Sequence, residues 1–189
     1  MNIMKSTLTI SALMGLTACG GSNAPLTFDQ IAEQGSTIAL EIIDLPFTDP
    51  STLPTSGSAT YDGFVGVEIE NAFGVAGELE ITANFAGGGN LSGRVFNVVG
   101  ENGFAYGGEL DLDNSTLDRG ADTDFEYTFQ MDMTGTLDGE DEDVVVDAML
   151  LGDFTGPGRE FIEGAAVGTI TTGGIRQDIT DGGFVGEVR

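Results

Sequence analysis

Cys19 is the only thiol in the 189-residue chain. Leu16, Thr17 and Ala18 precede it, and Gly20, Gly21 and Ser22 follow. Upstream lies an apolar run, Leu8 to Leu16, behind a single positive charge at Lys5. A charged start, an apolar stretch of roughly ten residues and a small-residue cleavage site together describe a secretory signal peptide. The run is too short to span a bilayer as a helix, which takes about 20 apolar residues.

The Leu16-Thr17-Ala18-Cys19 tetrad resembles the bacterial lipobox. That resemblance implies cleavage after Ala18 and a lipid on the Cys19 sulfur. The anchor would be a diacylglycerol thioether and, in most such proteins, an N-acyl chain as well. One acyl chain holds a protein to a membrane only marginally, whereas two or more hold it stably. The alternative is an ordinary signal peptide with a cysteine near its end. Gly20 after the cysteine, rather than Asp, is compatible with export to the outer membrane, on its periplasmic or its extracellular face.

The residues left after such processing constrain chemistry further. Removal of residues 1–18 takes away Lys5, leaving five arginines against 31 acids, a net charge of −26. The chain has no His and no Trp. A Ser-His-Asp triad or a Cys-His pair is therefore excluded, as are a Schiff-base lysine, a Cys/His zinc site and a histidine pH switch. Carboxylate, tyrosine and arginine chemistry remains. A carboxylate pair can hydrolyse a glycosidic bond, but no spacing singles out one pair among the 31 acids. The charge repels nucleic acid, whose binding rests on Lys and Arg neutralising phosphates. It suits solubility and self-repulsion at a cell surface.

The elements that must position these groups follow a two-residue rhythm. Leu79, Ile81, Ala83 and Phe85 alternate with Glu80, Thr82 and Asn84, giving one apolar and one polar face. Gly87-Gly88-Gly89-Asn90 reads as a hairpin loop before Leu91 to Val98. Gly107 to Leu112 alternates again. Phe125 to Met133 gives the longest strand signal, with Phe125, Tyr127, Phe129, Met131 and Met133 on one face. Val144 to Phe154, Ala165 to Thr171 and Gly183 to Val188 complete about eight strands beginning near Thr60. Glycines within these patterns, such as Gly63, Gly93 and Gly168, mark bends or close backbone approach. The prediction is an all-β protein: an eight-stranded antiparallel up-and-down barrel over residues 57–189. Residues 1–18 form the signal peptide and residues 19–56 a flexible tether with minor local structure. Within that tether, Asp29 to Ala32 could begin a helical turn, Ile38 to Ile43 has strand composition, and Pro46, Pro50 and Pro54 argue against regular structure. Glu78 and Glu80 on the polar face, and the lack of aromatic girdles, argue against a membrane-spanning barrel.

Two C-terminal stretches are distinctive: Gly152-Asp153-Phe154-Thr155-Gly156-Pro157-Gly158-Arg159-Glu160-Phe161-Ile162-Glu163-Gly164, and Gly182-Gly183-Phe184-Val185-Gly186. They resemble the end of the barrel domain in the transferrin-binding protein B-like surface lipoproteins. Tyr61-Asp62-Gly63, Ile81 to Phe85 and Leu91-Ser92-Gly93 also resemble earlier strands of that family. The resemblance implies a single barrel with almost no second "handle" domain, displayed by an outer-membrane lipoprotein. It offers no match to the loops that capture transferrin. Structurally, Phe154, Phe161 and Phe184 are expected in the core and Pro157 in a fixed turn.

Two acidic stretches are candidate loops. Asp138-Gly139-Glu140-Asp141-Glu142-Asp143 lies between two strands, as a solvated hairpin turn without the oxygen spacing of an EF-hand. Asp111 to Asn114 and Asp118 to Asp124 suggest a loop of about ten residues. Haem ligation would fall to Tyr61, Tyr106 or Tyr127, and Tyr127 reads as core. The expected function is a non-enzymatic binding or interaction module at the outer membrane, held by Cys19, with no cofactor or metal. The alternatives are a lipocalin-like carrier of a small apolar ligand and, behind it, a carboxylate-dependent hydrolase. Ligand-binding residues are not identified by the sequence.

Overall fold

A computed structural model describes residues 25–70 and 72–189. One helix, α1 (Phe28–Ile42), precedes eight strands: β1 (Ser58–Ile69), β2 (Val75–Asn84), β3 (Asn90–Gly100), β4 (Leu110–Leu117), β5 (Phe129–Leu137), β6 (Val144–Thr155), β7 (Phe161–Thr172) and β8 (Ile175–Val188). Each strand pairs antiparallel with the next, and β1 pairs with β8 to close the cylinder, Tyr61 opposite Val188 and Gly66 opposite Gly183. The up-and-down barrel expected from the alternation is therefore present, with β1 starting one residue after the predicted boundary.

Close strand approach explains one of the flagged glycines directly. A methyl group on Gly63 would collide with the Val185 carbonyl across the β1–β8 seam. Gly168 sits at φ +147°, where β7 slips register against β8. Such bulges let a sheet curl enough to close. The β3–β4 seam is the shortest, with only Gly93–Val95 laddered against Leu110–Leu112. Beyond it, Asn114 adopts φ +48° and β4 bulges. The Ser115 hydroxyl takes over there, accepting from the Leu91 N–H at 2.6 Å and donating to the Leu91 carbonyl at 2.7 Å.

The N-terminal segment departs from the sequence reading. Ile38 to Ile43, read as strand-like, belongs through Ile42 to the 15-residue α1, which also absorbs the short turn expected at Asp29 to Ala32. Two local causes account for this. Thr27 caps the helix: its hydroxyl accepts from the Gln30 N–H at 3.3 Å, while the Gln30 side chain accepts from the Thr27 N–H at 2.9 Å. Phe28, Ile31, Gly35, Ile38 and Ile42 also recur at helical spacing on the face that meets the barrel, with Ile31 and Ile42 buried. The segment expected to be a flexible tether thus contains a docked helix from Phe28 to Ile42. It lies along the outer wall formed by β1, β2 and β8.

The 125–133 strand is also shorter than expected. β5 begins at Phe129, and Phe125 and Glu126 close a turn by donating to the Asp122 carbonyl. Phe125 is 86 % exposed and Tyr127 46 % exposed, so Tyr127 is not a core residue. The strand start is fixed instead by Thr128, whose N–H and hydroxyl both donate to the buried Asp153 carboxylate, at 2.9 and 2.6 Å. Asp111 to Asn114 lies within β4, leaving residues 118–128 as the β4–β5 loop.

Candidate ligand-binding cavity

The barrel is packed at one end and hollow at the other. At the packed end, Phe154 stands at the centre of a ring cluster, with centroids 5.9 Å from Tyr61, 5.8 Å from Phe85 and 5.4 Å from Phe129. Phe184 extends the cluster from Phe129, 6.1 Å away. Phe154 and Phe184 are buried as the sequence suggested, and Phe161 is buried at the start of β7. The chain between α1 and β1 crosses this end and inserts Leu53 into the core. Arg119 pins that crossing: its guanidinium donates to the carbonyls of Leu53 and Pro54, both at 2.7 Å, and of Phe85 at 3.2 Å. The Gly156-Pro157-Gly158 turn closes the same end. The Gly156 N–H donates to the Pro46 carbonyl, and the Tyr61 hydroxyl donates to the Arg159 carbonyl at 3.0 Å. Burial pushes the Tyr61 phenol up to about 12. Tyr61 is therefore a floor residue, enclosed in the aromatic cluster.

Above this floor is a cavity of about 400 Å³. That volume lies near the lower end of small-molecule sites, ~300–1,000 Å³. Its wall is apolar: Val65 and Val67 from β1, Val95 and Val98 from β3, Met133 from β5 and Val146 from β6 are representative. Most of these positions follow from strict alternation. Val95 and Val98 do not, because residues three apart in a regular strand face opposite ways. Asn97 resolves this by adopting φ +50°, at the point where β2 and β3 shift register. Its carboxamide donates outward to Glu78 at 2.8 Å. An Asn inside a run of β-branched residues was the available signal, since Asn tolerates the left-handed region better than most residues.

The mouth is built from the turns β1–β2, β3–β4, β5–β6 and β7–β8. Phe73, Asn102, Phe104 and Tyr106 form one side of the rim, and Glu140, Asp141 and Glu142 of the acidic hairpin form the other. Phe104 and Tyr106 meet edge to face at 5.0 Å. Partial burial raises the Tyr106 phenol above its ordinary value, so the group stays neutral at physiological pH. The three tyrosines therefore lie apart: Tyr61 in the floor, Tyr106 at the rim, and Tyr127 outside, beside the cleft flanking α1. Asp138 to Asp143 is the expected hairpin turn, and it contributes three carboxylates to the cavity edge. Among the described residues, no group of three carboxylates converges to hold a metal ion.

The geometry is that of a blind apolar pocket with a polar, negatively charged rim. Such a pocket takes up hydrocarbon and leaves a polar end in water. Cys19, the expected lipid-attachment residue, and residues 1–18, the expected signal peptide, lie outside the described residues. No protein-family model matches this chain, and comparison with curated proteins returns no match.

Proposed function

We propose that the chain is a non-enzymatic binding barrel, anchored by a lipid on Cys19, that holds a small apolar molecule in its open half. The observation that carries this reading is the cavity itself: about 400 Å³, walled by aliphatic side chains, in a barrel whose other end is filled by the aromatic cluster. Burial of apolar surface in a preformed pocket is the dominant driving force for such ligands. The Leu-Thr-Ala-Cys tetrad supports the anchor, and the Gly20 that follows it supports the outer membrane. The resemblance to transferrin-binding protein B-like barrels supports a place among surface lipoproteins. In the barrel, its Gly152–Gly164 stretch forms the end of β6, the closing turn and the start of β7.

A protein-interaction role draws on a different feature. Leu40, Ile43 and Phe47, at the end of α1 and just beyond it, are 71 %, 73 % and 45 % exposed. The cavity is the stronger feature, because it is concave and walled by several strands, whereas those three side chains lie on an open surface. Native mass spectrometry of the protein purified from its host, without detergent exchange, tests the reading. A retained mass that an environment-sensitive apolar dye displaces is expected. A ligand-free protein that also binds no such dye would refute it.

A further inference from the structure

The direction of α1 adds a consequence for how the cavity is filled. Phe28, its first residue, packs against Gly74 in the β1–β2 turn, at the mouth. Ile31 then packs against Ala76 and Val99, and Gly35 lies beside Phe64 and Val185. At the far end, Thr48 donates to the Phe154 carbonyl beside the aromatic floor. The helix therefore runs from the open end of the barrel to the closed end. The first described residue, Pro25, enters at the open end, six positions after Cys19. Six residues span at most ~20 Å. A barrel whose β1 has 12 residues, rising ~3.3 Å each, is longer than that even when the strands tilt. The rim on this side also exposes hydrocarbon: Phe73 is 37 % exposed and Ile175, the first residue of β8, 69 %.

We infer that the open end is the membrane-proximal end, and that the cavity is loaded from the bilayer with the alkyl chain of a single-chain amphiphile. This inference rests on the binding-barrel reading and on the Cys19 anchor. The mouth stands within a tether's length of the lipid, and the amphiphile's polar head stays at the rim. The Glu140–Glu142 carboxylates favour a cationic or neutral head over an anionic one. The tether, rather than charge, keeps so acidic a chain at the surface.

The test uses the lipidated mature chain on phosphatidylcholine vesicles that contain an acceptor-labelled lipid. Glu101→Cys and Ala86→Cys place donor dyes beyond opposite ends of β3, whose 11 residues span ~33 Å. Transfer roughly twofold or more stronger from position 101 is expected, given that ~33 Å separation. Equal or stronger transfer from position 86 overturns the orientation. In a second arm, dodecyltrimethylammonium is supplied only in the vesicles, and loading is followed by native mass spectrometry. Twenty Gly/Ser residues inserted between Asn23 and Ala24 should slow loading roughly ninefold, since effective concentration falls as about the −3/2 power of tether length. An unchanged rate overturns loading from the bilayer. A soluble Cys19→Ser chain is titrated with the same amphiphile in solution. Failure there strikes the cavity reading itself, whereas binding there with a reversed dye pattern strikes only the present inference.

Discussion

The cavity has a finite depth, and an alkyl-chain series measures it. If a methylene needs about the ~30 Å³ of a liquid water, 400 Å³ holds roughly 13 such groups. Each methylene buried contributes about 0.8 kcal/mol, close to a fourfold gain in affinity. Alkyltrimethylammonium ions of eight to sixteen carbons carry one constant head, so the slope reports the chain alone. From eight to twelve carbons the Kd should fall roughly 200-fold. Beyond about thirteen carbons the gain per methylene should drop below about twofold, because the added carbons remain in water. Val146→Phe adds four carbons to the wall at a site opposite Gly135, which offers no side chain of its own. The break should then move about four carbons shorter, the barrel remaining folded by circular dichroism. The assay is isothermal titration, or displacement of an apolar dye, below the aggregation limit of each amphiphile. A line without a break through sixteen carbons, no dependence on chain length, or a break that Val146→Phe leaves in place would refute the reasoning.

Two further predictions concern the closed end. Tyr61 holds its phenol proton to about pH 12 in the folded chain against 10.0 for the free group, so the folded state keeps a proton that the unfolded state loses. Stability should be intact below about pH 10 and fall by about 2–3 kcal/mol as pH rises to 12. Denaturant unfolding of Tyr61→Phe should lack that decline, and an identical decline in the variant would count against the assignment. Asp153→Ala leaves the Thr128 N–H and hydroxyl without their buried acceptor and should cost about 3 kcal/mol by the same measurement, with Asp153→Asn costing less. A loss under about 1 kcal/mol would show that water replaces the carboxylate.

Most of the barrel was legible because its strands obey one rule. Leu79, Ile81 and Ala83, or Met131 and Met133, alternate cleanly, and the glycines between runs mark the turns. The misreadings have physical causes. Ile38 to Ile43 has strand composition, yet the Thr27–Gln30 cap and the Phe28-Ile31-Gly35-Ile38-Ile42 spacing decide the helix. Phe125 and Tyr127 share the parity of Phe129, but the turn at Asp122 and the Thr128–Asp153 pairing start the strand later. Individual cavity residues were not legible. Whether an inward valine faces filled core or open space depends on which loops fold across each end. That follows from Arg119 reaching Leu53, Pro54 and Phe85, contacts 34 to 66 positions apart in the chain. Asn97, which turns Val98 inward, was visible as a letter, but its role depends on the pairing partner.

The brief pairing of β3 with β4, three rungs plus the Ser115 bridge and a Val99–Ala105 bridge in the connecting loop, makes the barrel wall unequal around its circumference. The β4–β5 ladder on the other flank of β4 has five paired positions, and every other ladder has nine or more, as between β5 and β6. A tube laced this way has an expansion joint. Under load from a bulky guest, the β3–β4 side is where the wall can part with the fewest broken rungs. A rigid pocket selects one shape of cargo, whereas a pocket with a single yielding seam admits a graded range of widths along one fixed direction.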